Sequence, residues 1–184
     1  LKHNLNIPTV QITLFVNYED ESKVFQTLNL LDKQRYHEDF VVLVNELIRP
    51  DLFHVKKQMA SSKEVIDFLC DELISKNLAD ERYKEDVFKR ESVSATSFVN
   101  GFAVPHSIEI TSKESCISIM ILDKPVKWGD FEVKLVLLLA IRDTDSHLLK
   151  IFFDWLSSIV SDSNKFRQLL EVKNYQEFIQ HVIE

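Results

Sequence analysis

Two runs dominated by apolar and β-branched residues, Cys116–Leu122 and Val133–Ile141, constrain the fold of this chain more than any other feature. Short runs of this kind between polar turns predict strands buried on both faces, because a strand with one wet face alternates instead. Segments of helical period lie on either side of them. Val65, Ile66, Leu69, Leu73 and Ile74 form an apolar stripe behind Ser61 or Ser62, either of which can cap a helix. Asp80 caps a second helix over residues 81–92, with Tyr83, Val87 and Arg90 on one side. His147-Leu148-Leu149 opens a third behind Asp143-Thr144-Asp145, and residues 164–170 and 175–183 make two short ones. The expected class is α/β (α+β), a mixed central sheet flanked by helices on both faces.

The front of the chain reads as a partial N-terminal α/β segment. Ile7–Val16 is β-rich, and Asn17-Tyr18-Glu19-Asp20 supplies capping residues for a following helix. Val24, Leu28 and Leu31, then Phe40, Val44 and Leu47, recur at helical spacing, which predicts two amphipathic helices joined near Tyr36-His37. Arg49-Pro50-Asp51 breaks that pattern, placing a boundary between residues 1–49 and 50–184. Leu1 is not a start methionine and no signal-peptide pattern follows it, so the chain reads as a piece of a longer protein.

Charge and cysteine content exclude several roles. The net charge is −7, and the adjacent basic pairs Lys56-Lys57 and Lys89-Arg90 are not interleaved with aromatics. A nucleic-acid partner is therefore not expected of this fragment, since such binding draws on clustered cations. No apolar run approaches the roughly 20 residues of a membrane span. Cys70 and Cys116 sit in apolar surroundings and read as buried free thiols, which suits a reducing cytoplasm.

One of only two glycines in 184 residues stands in Asn100-Gly101-Phe102-Ala103-Val104-Pro105-His106. Glycine reaches backbone angles closed to other residues, and proline fixes its own φ and restricts its predecessor, so the imidazole leaves a tightly specified turn. A histidine so held can act as a nucleophile, although these seven residues alone equally describe a surface turn. His106 and His147 lack further Cys, His or carboxylate partners at ligand-like spacing, so no metal and no cofactor is expected.

With its neighbouring blocks, this segment resembles the enzyme IIA domain of the fructose/mannitol type from the bacterial phosphoenolpyruvate sugar phosphotransferase system. The likeness spans about residues 50–184. It is carried by Tyr83 with Phe88-Lys89-Arg90-Glu91, by Thr96 through His106, by Val126-Lys127-Trp128-Gly129, and by His147-Leu148. It implies that His106 accepts a phosphoryl group from the phosphocarrier protein HPr and passes it to an enzyme IIB domain, in cis or in trans. It further implies that Arg90 and His147 hold or orient that group, while Asn100, Gly101 and Pro105 shape the loop. Members often carry glycine or alanine after Pro-His; here Ser107 stands there.

Residues 5–49 resemble, more loosely, the closing half of an enzyme IIB-like domain of the kind that precedes an enzyme IIA domain in transcriptional regulators of the phosphotransferase system. The likeness implies a phosphoacceptor regulatory module of an activator or antiterminator, rather than an independent turnover enzyme. Two alternatives stay open: a transport enzyme IIA that passes phosphate to a sugar-specific enzyme IIB, and an interaction domain that is never phosphorylated. The sequence names neither the sugar nor the oligomeric state.

Overall fold

The computed structural model describes residues 18–109 and 112–183. The expected strand at Ile7–Val16 lies outside these residues. Helix α1, Tyr18–Leu47, is one continuous helix of 30 residues rather than the expected pair. No glycine or proline occurs between its ends, so nothing in the backbone chemistry stops it near Tyr36-His37. The chain forms two compact units, Leu1–Phe40 and Val41–Glu184. All that follows concerns the second.

Strand β1, Ile48–Lys57, begins directly after α1 and carries Arg49-Pro50-Asp51 inside it. Proline is tolerated there because β1 is an edge strand, paired only with β4. Helix α2, Ser62–Ser75, starts at Ser61, whose hydroxyl accepts from the Glu64 amide, while the Glu64 carboxylate takes the Ala60 amide. It ends in a Schellman turn. Leu78 N–H bonds Leu73 O and Asn77 N–H bonds Ile74 O, with Asn77 left-handed at φ +59°. Helix α3, Glu81–Val93, is capped by Asp80 as expected.

A short hairpin follows: β2, Ser97–Phe98, antiparallel to β3, Phe102–Ala103. Then come the two long strands, β4, Cys116–Trp128, and β5, Phe131–Ala140. A 3₁₀ turn over Asp143–Asp145 leads into α4, Leu148–Ser161, then α5, Ser163–Leu170, and α6, Tyr175–Ile183.

The five strands make one mixed sheet in the order β1-β4-β5-β3-β2. β1 is parallel to β4, β3 is parallel to β5, and the other pairs are antiparallel. Alternation along β4 and β5 divides the core. Met120, Leu122, Val136 and Leu138 pack in one cluster with Val65, Leu69, Tyr83 and Val87 of α2 and α3. The opposite pleat, Ile117, Ile119, Leu135 and Leu137, is equally buried. On that pleat Phe53 meets Phe178 of α6, and Phe102 meets Phe166 of α5. Both faces are therefore apolar, which is why the two runs lack the alternation of a half-wet sheet. Lys84 fastens α3 to α2 through Asp67 and Asp71, and those bonds outweigh its burial to raise its pKa.

Candidate functional site

The β2–β3 hairpin sets the direction of the His106 segment. Ser97 pairs with Ala103 and Phe98 with Phe102, leaving Val99, Asn100 and Gly101 as a three-residue loop. The Gly101 N–H closes it on Phe98 O, with Gly101 at φ +86°, a conformation that L side chains rarely adopt. Asn100 fixes the loop to the end of α4 by donating Nδ2–H to Val160 O at 3.0 Å. Gly101 O in turn accepts from Lys134 N at 2.8 Å, which starts β3 alongside β5.

β3 then runs parallel to β5 as far as His106. Buried Pro105 accepts from Leu139 N at 3.0 Å, and His106 forms an isolated parallel bridge with Leu139. Leu139 is braced from beneath by fully buried Tyr83, whose hydroxyl donates to Leu139 O at 2.8 Å.

The imidazole is oriented by the backbone before it. His106 Nδ1 lies 2.9 Å from Val104 O, an atom that can only accept, so Nδ1 carries the proton. Nε2 is left with the free lone pair of the neutral ring. Val104 N–H donates to Thr96 O at 3.1 Å. The Glu91 carboxylate accepts from Thr96 N at 3.0 Å, from Thr96 Oγ1 at 2.6 Å and from Trp128 Nε1 at 2.6 Å. A continuous chain of hydrogen bonds thus runs from the end of α3 through Thr96 and Val104 to the ring of His106.

His106 and Ser107 open onto a cavity of about 190 Å³, otherwise walled by Leu139, Ile141, Leu149 and Phe153. The expected helper residues are placed differently. Arg90 is half-buried, and its Nη1 donates to Ser94 O at 2.9 Å, closing the end of its own helix. His147 is exposed at the start of α4 and makes no side-chain capping bond. Neither lines the cavity, although α4 reaches it through Leu149 and Phe153. Glu91 and Tyr83 lie inside the matched blocks, but nothing local assigns them these roles: Trp128 and Leu139, which they reach, are 37 and 56 residues away. Among the described residues no group of three or more His, Cys, Asp or Glu side chains could hold a metal ion.

The family model described as the phosphoenolpyruvate-dependent sugar phosphotransferase system, EIIA 2, matches residues 46–184. The chain belongs to that EIIA 2 family. Its fold accords with solved EIIA structures. Enzyme IIA in the complex of mannitol enzymes IIA and phosphorylated IIB from Escherichia coli superposes with a TM-score of 0.64 at 16% identity, covering 74% of this chain and 98% of that one. Nitrogen regulatory protein IIA-Ntr from Neisseria meningitidis gives 0.63 at 20% identity, covering 77% and 99%.

In sequence, the chain is 27% identical over 177 residues to a probable licABCH operon regulator and 25% identical over 179 residues to transcriptional regulator ManR, both of Bacillus subtilis. These matches take in 96% and 97% of this chain but only 26% and 28% of the regulators, so it spans about a quarter of their length. A mannitol-specific phosphotransferase enzyme IIA component of Halalkalibacterium halodurans is 29% identical over 139 residues, covering 72% of this chain and 92% of that protein. Among the described residues no helix is long and apolar enough to cross a membrane.

Proposed function

We propose that this EIIA 2 chain is the phosphoacceptor module of a sugar-responsive transcriptional regulator, working in the cytoplasm and phosphorylated on Nε2 of His106. The observation that carries the phosphoacceptor reading is the tie between Nδ1 and Val104 O, which leaves Nε2 as the nucleophile of the neutral ring. The donor is phosphorylated HPr. The Nε2 lone pair attacks phosphorus while the donor's N–P bond breaks, its electron pair returning to the donor's ring nitrogen. Such transfer depends on positioning more than on acid or base chemistry, and the bonds through Glu91, Thr96 and Leu139 supply the positioning. Onward transfer is to the thiolate of an enzyme IIB domain, in cis or in trans. Arg90 and His147 join the phosphoryl group's surroundings once it is present, Arg90 by releasing Ser94 O and His147 by turning its exposed imidazole.

The regulatory part of the reading is supported by where the likenesses extend. Those to the two regulators take in nearly the whole chain, whereas that to the mannitol component leaves out more than a quarter of it. Residues 1–49 are accordingly read as the end of an enzyme IIB-like domain and residues 50–184 as the enzyme IIA-like domain. In the full-length protein, His106→Ala and His106→Asp should differ in target-gene expression without altering sugar uptake by an intact transporter. Normal regulation by both, with collapse of uptake of one sugar, would establish the transport reading instead. That second reading rests on the 92% of the mannitol component that this chain covers.

A further inference from the structure

We infer that the hydroxyl of Ser107 hydrogen-bonds the phosphoryl group carried by His106 and so sets how strongly this chain retains it. The inference rests on the phosphoacceptor reading of His106.

The cavity in front of the imidazole is several times the roughly 30 Å³ share of one water molecule, room enough for a phosphoryl group. Its walls are chemically lopsided. Leu139, Ile141, Leu149 and Phe153 carry only apolar side chains, so among the described residues that line the cavity Ser107 is, beside His106, the one polar residue. Phosphorylation brings a charge of roughly −1.5 to −2 and three strong acceptor oxygens into that space. Nδ1 of His106 is already engaged with Val104 O. The Ser107 hydroxyl makes no hydrogen bond to any described residue, which leaves its proton free for an incoming acceptor.

The segment bearing Ser107 is also held on both sides. Before it, Pro105 and His106 are fixed on Leu139. After it, the Glu109 amide donates to Asp86 Oδ2 at 2.7 Å, and the Glu109 carboxylate meets Arg82 at 2.8 Å. A donor on backbone anchored in this way needs little reordering when the phosphoryl group arrives, so most of the bond's strength reaches the equilibrium.

The test measures the equilibrium of phosphoryl exchange between HPr and the intact chain, using phosphoenolpyruvate, enzyme I and HPr, for wild type, Ser107→Ala and Ser107→Thr. The ³¹P resonance of each phosphorylated form is recorded alongside. Hydrogen bonds to charged groups commonly shift an equilibrium by a factor of about ten or more. Ser107→Ala should therefore move the exchange constant about tenfold toward phospho-HPr and displace the ³¹P resonance. Ser107→Thr, which keeps the hydroxyl, should restore both. An exchange constant and a ³¹P shift unchanged in Ser107→Ala overturn the inference. Loss in both variants also overturns it, since the hydroxyl would then not be what matters. Failure of the wild-type chain to take up phosphate from HPr defeats the underlying reading of His106 instead.

Discussion

Removing the Glu91 carboxylate should cost this domain more stability than any single change at His106 itself, for reasons countable in bonds. Three donors converge on Glu91: the Thr96 amide, the Thr96 hydroxyl and the Trp128 indole. Both donor residues are almost sealed from water, Thr96 at 5% exposure and Trp128 at 1%. Each bond to a charged acceptor contributes about 1.5–3 kcal/mol, and a buried donor left without a partner costs about 1–3 kcal/mol. Glu91 is half-buried, so water rescues part of that loss, and Glu91→Ala should destabilise by about 3–5 kcal/mol. Glu91→Gln should cost only about 1–2 kcal/mol. Its carbonyl can stand where Oε1 now accepts from both Thr96 N and Trp128 Nε1, while the Thr96 hydroxyl turns to accept from the new amide. Equilibrium urea unfolding measures both values. Because Thr96 O holds Val104 N, and Val104 O holds the His106 ring, the folded alanine variant should also accept phosphate more slowly than the glutamine variant. Equal costs for the two substitutions, or a cost for alanine below about 1 kcal/mol, would refute the reasoning.

Two further outcomes follow from the same interior. Burial pushes both Cys70 and Cys116 up to about 12 from an ordinary value of 9.0, so the native chain keeps two protons that the unfolded chain gives up above pH 9. Stability should then be fully present below about pH 9 and fall as pH rises toward 12, by up to about 1.4 kcal/mol per pH unit for each thiol, with Cys70→Ala flattening the slope of urea-derived stability against pH. At the β4–β5 hairpin a Cβ on Gly129, at φ +59°, would lie 2.5 Å from Ala95 Cβ, whereas one on Gly101 would meet Glu132 O at 3.4 Å. Gly129→Ala should accordingly destabilise by about 1–3 kcal/mol in thermal unfolding, and by more than Gly101→Ala.

The parts legible in the sequence were those set by local chemistry. Ser61 and Asp80 cap helices because their side chains reach amides three residues ahead, and the apolar runs form strands because both faces are covered. Arg49-Pro50-Asp51 ends the helical pattern, since α1 stops at Leu47, yet the backbone there continues as an edge strand. The continuity of α1 was missed because a polar stretch without glycine or proline weakens amphipathic spacing without stopping a helix. The tight turn that leads to His106 was legible in Gly101 and Pro105. Its supports were not: Glu91 and Trp128 meet across 37 residues, and Tyr83 reaches Leu139 across 56. Only the folded sheet brings such pairs together. The cavity walls on α4 were visible merely as apolar residues, with nothing in their spacing to tell a site wall from core.

The central claim is that His106 accepts phosphate through Nε2 because Val104 O occupies Nδ1. It is tested most directly by proton–nitrogen correlation spectra of the ¹⁵N-histidine-labelled chain after phosphorylation by phosphoenolpyruvate, enzyme I and HPr. The expected result is a single acid-labile phosphohistidine with phosphorus on Nε2, Nδ1 still protonated, and no signal in His106→Ala. Phosphorus on Nδ1, or label persisting on another residue in His106→Ala, would contradict the account.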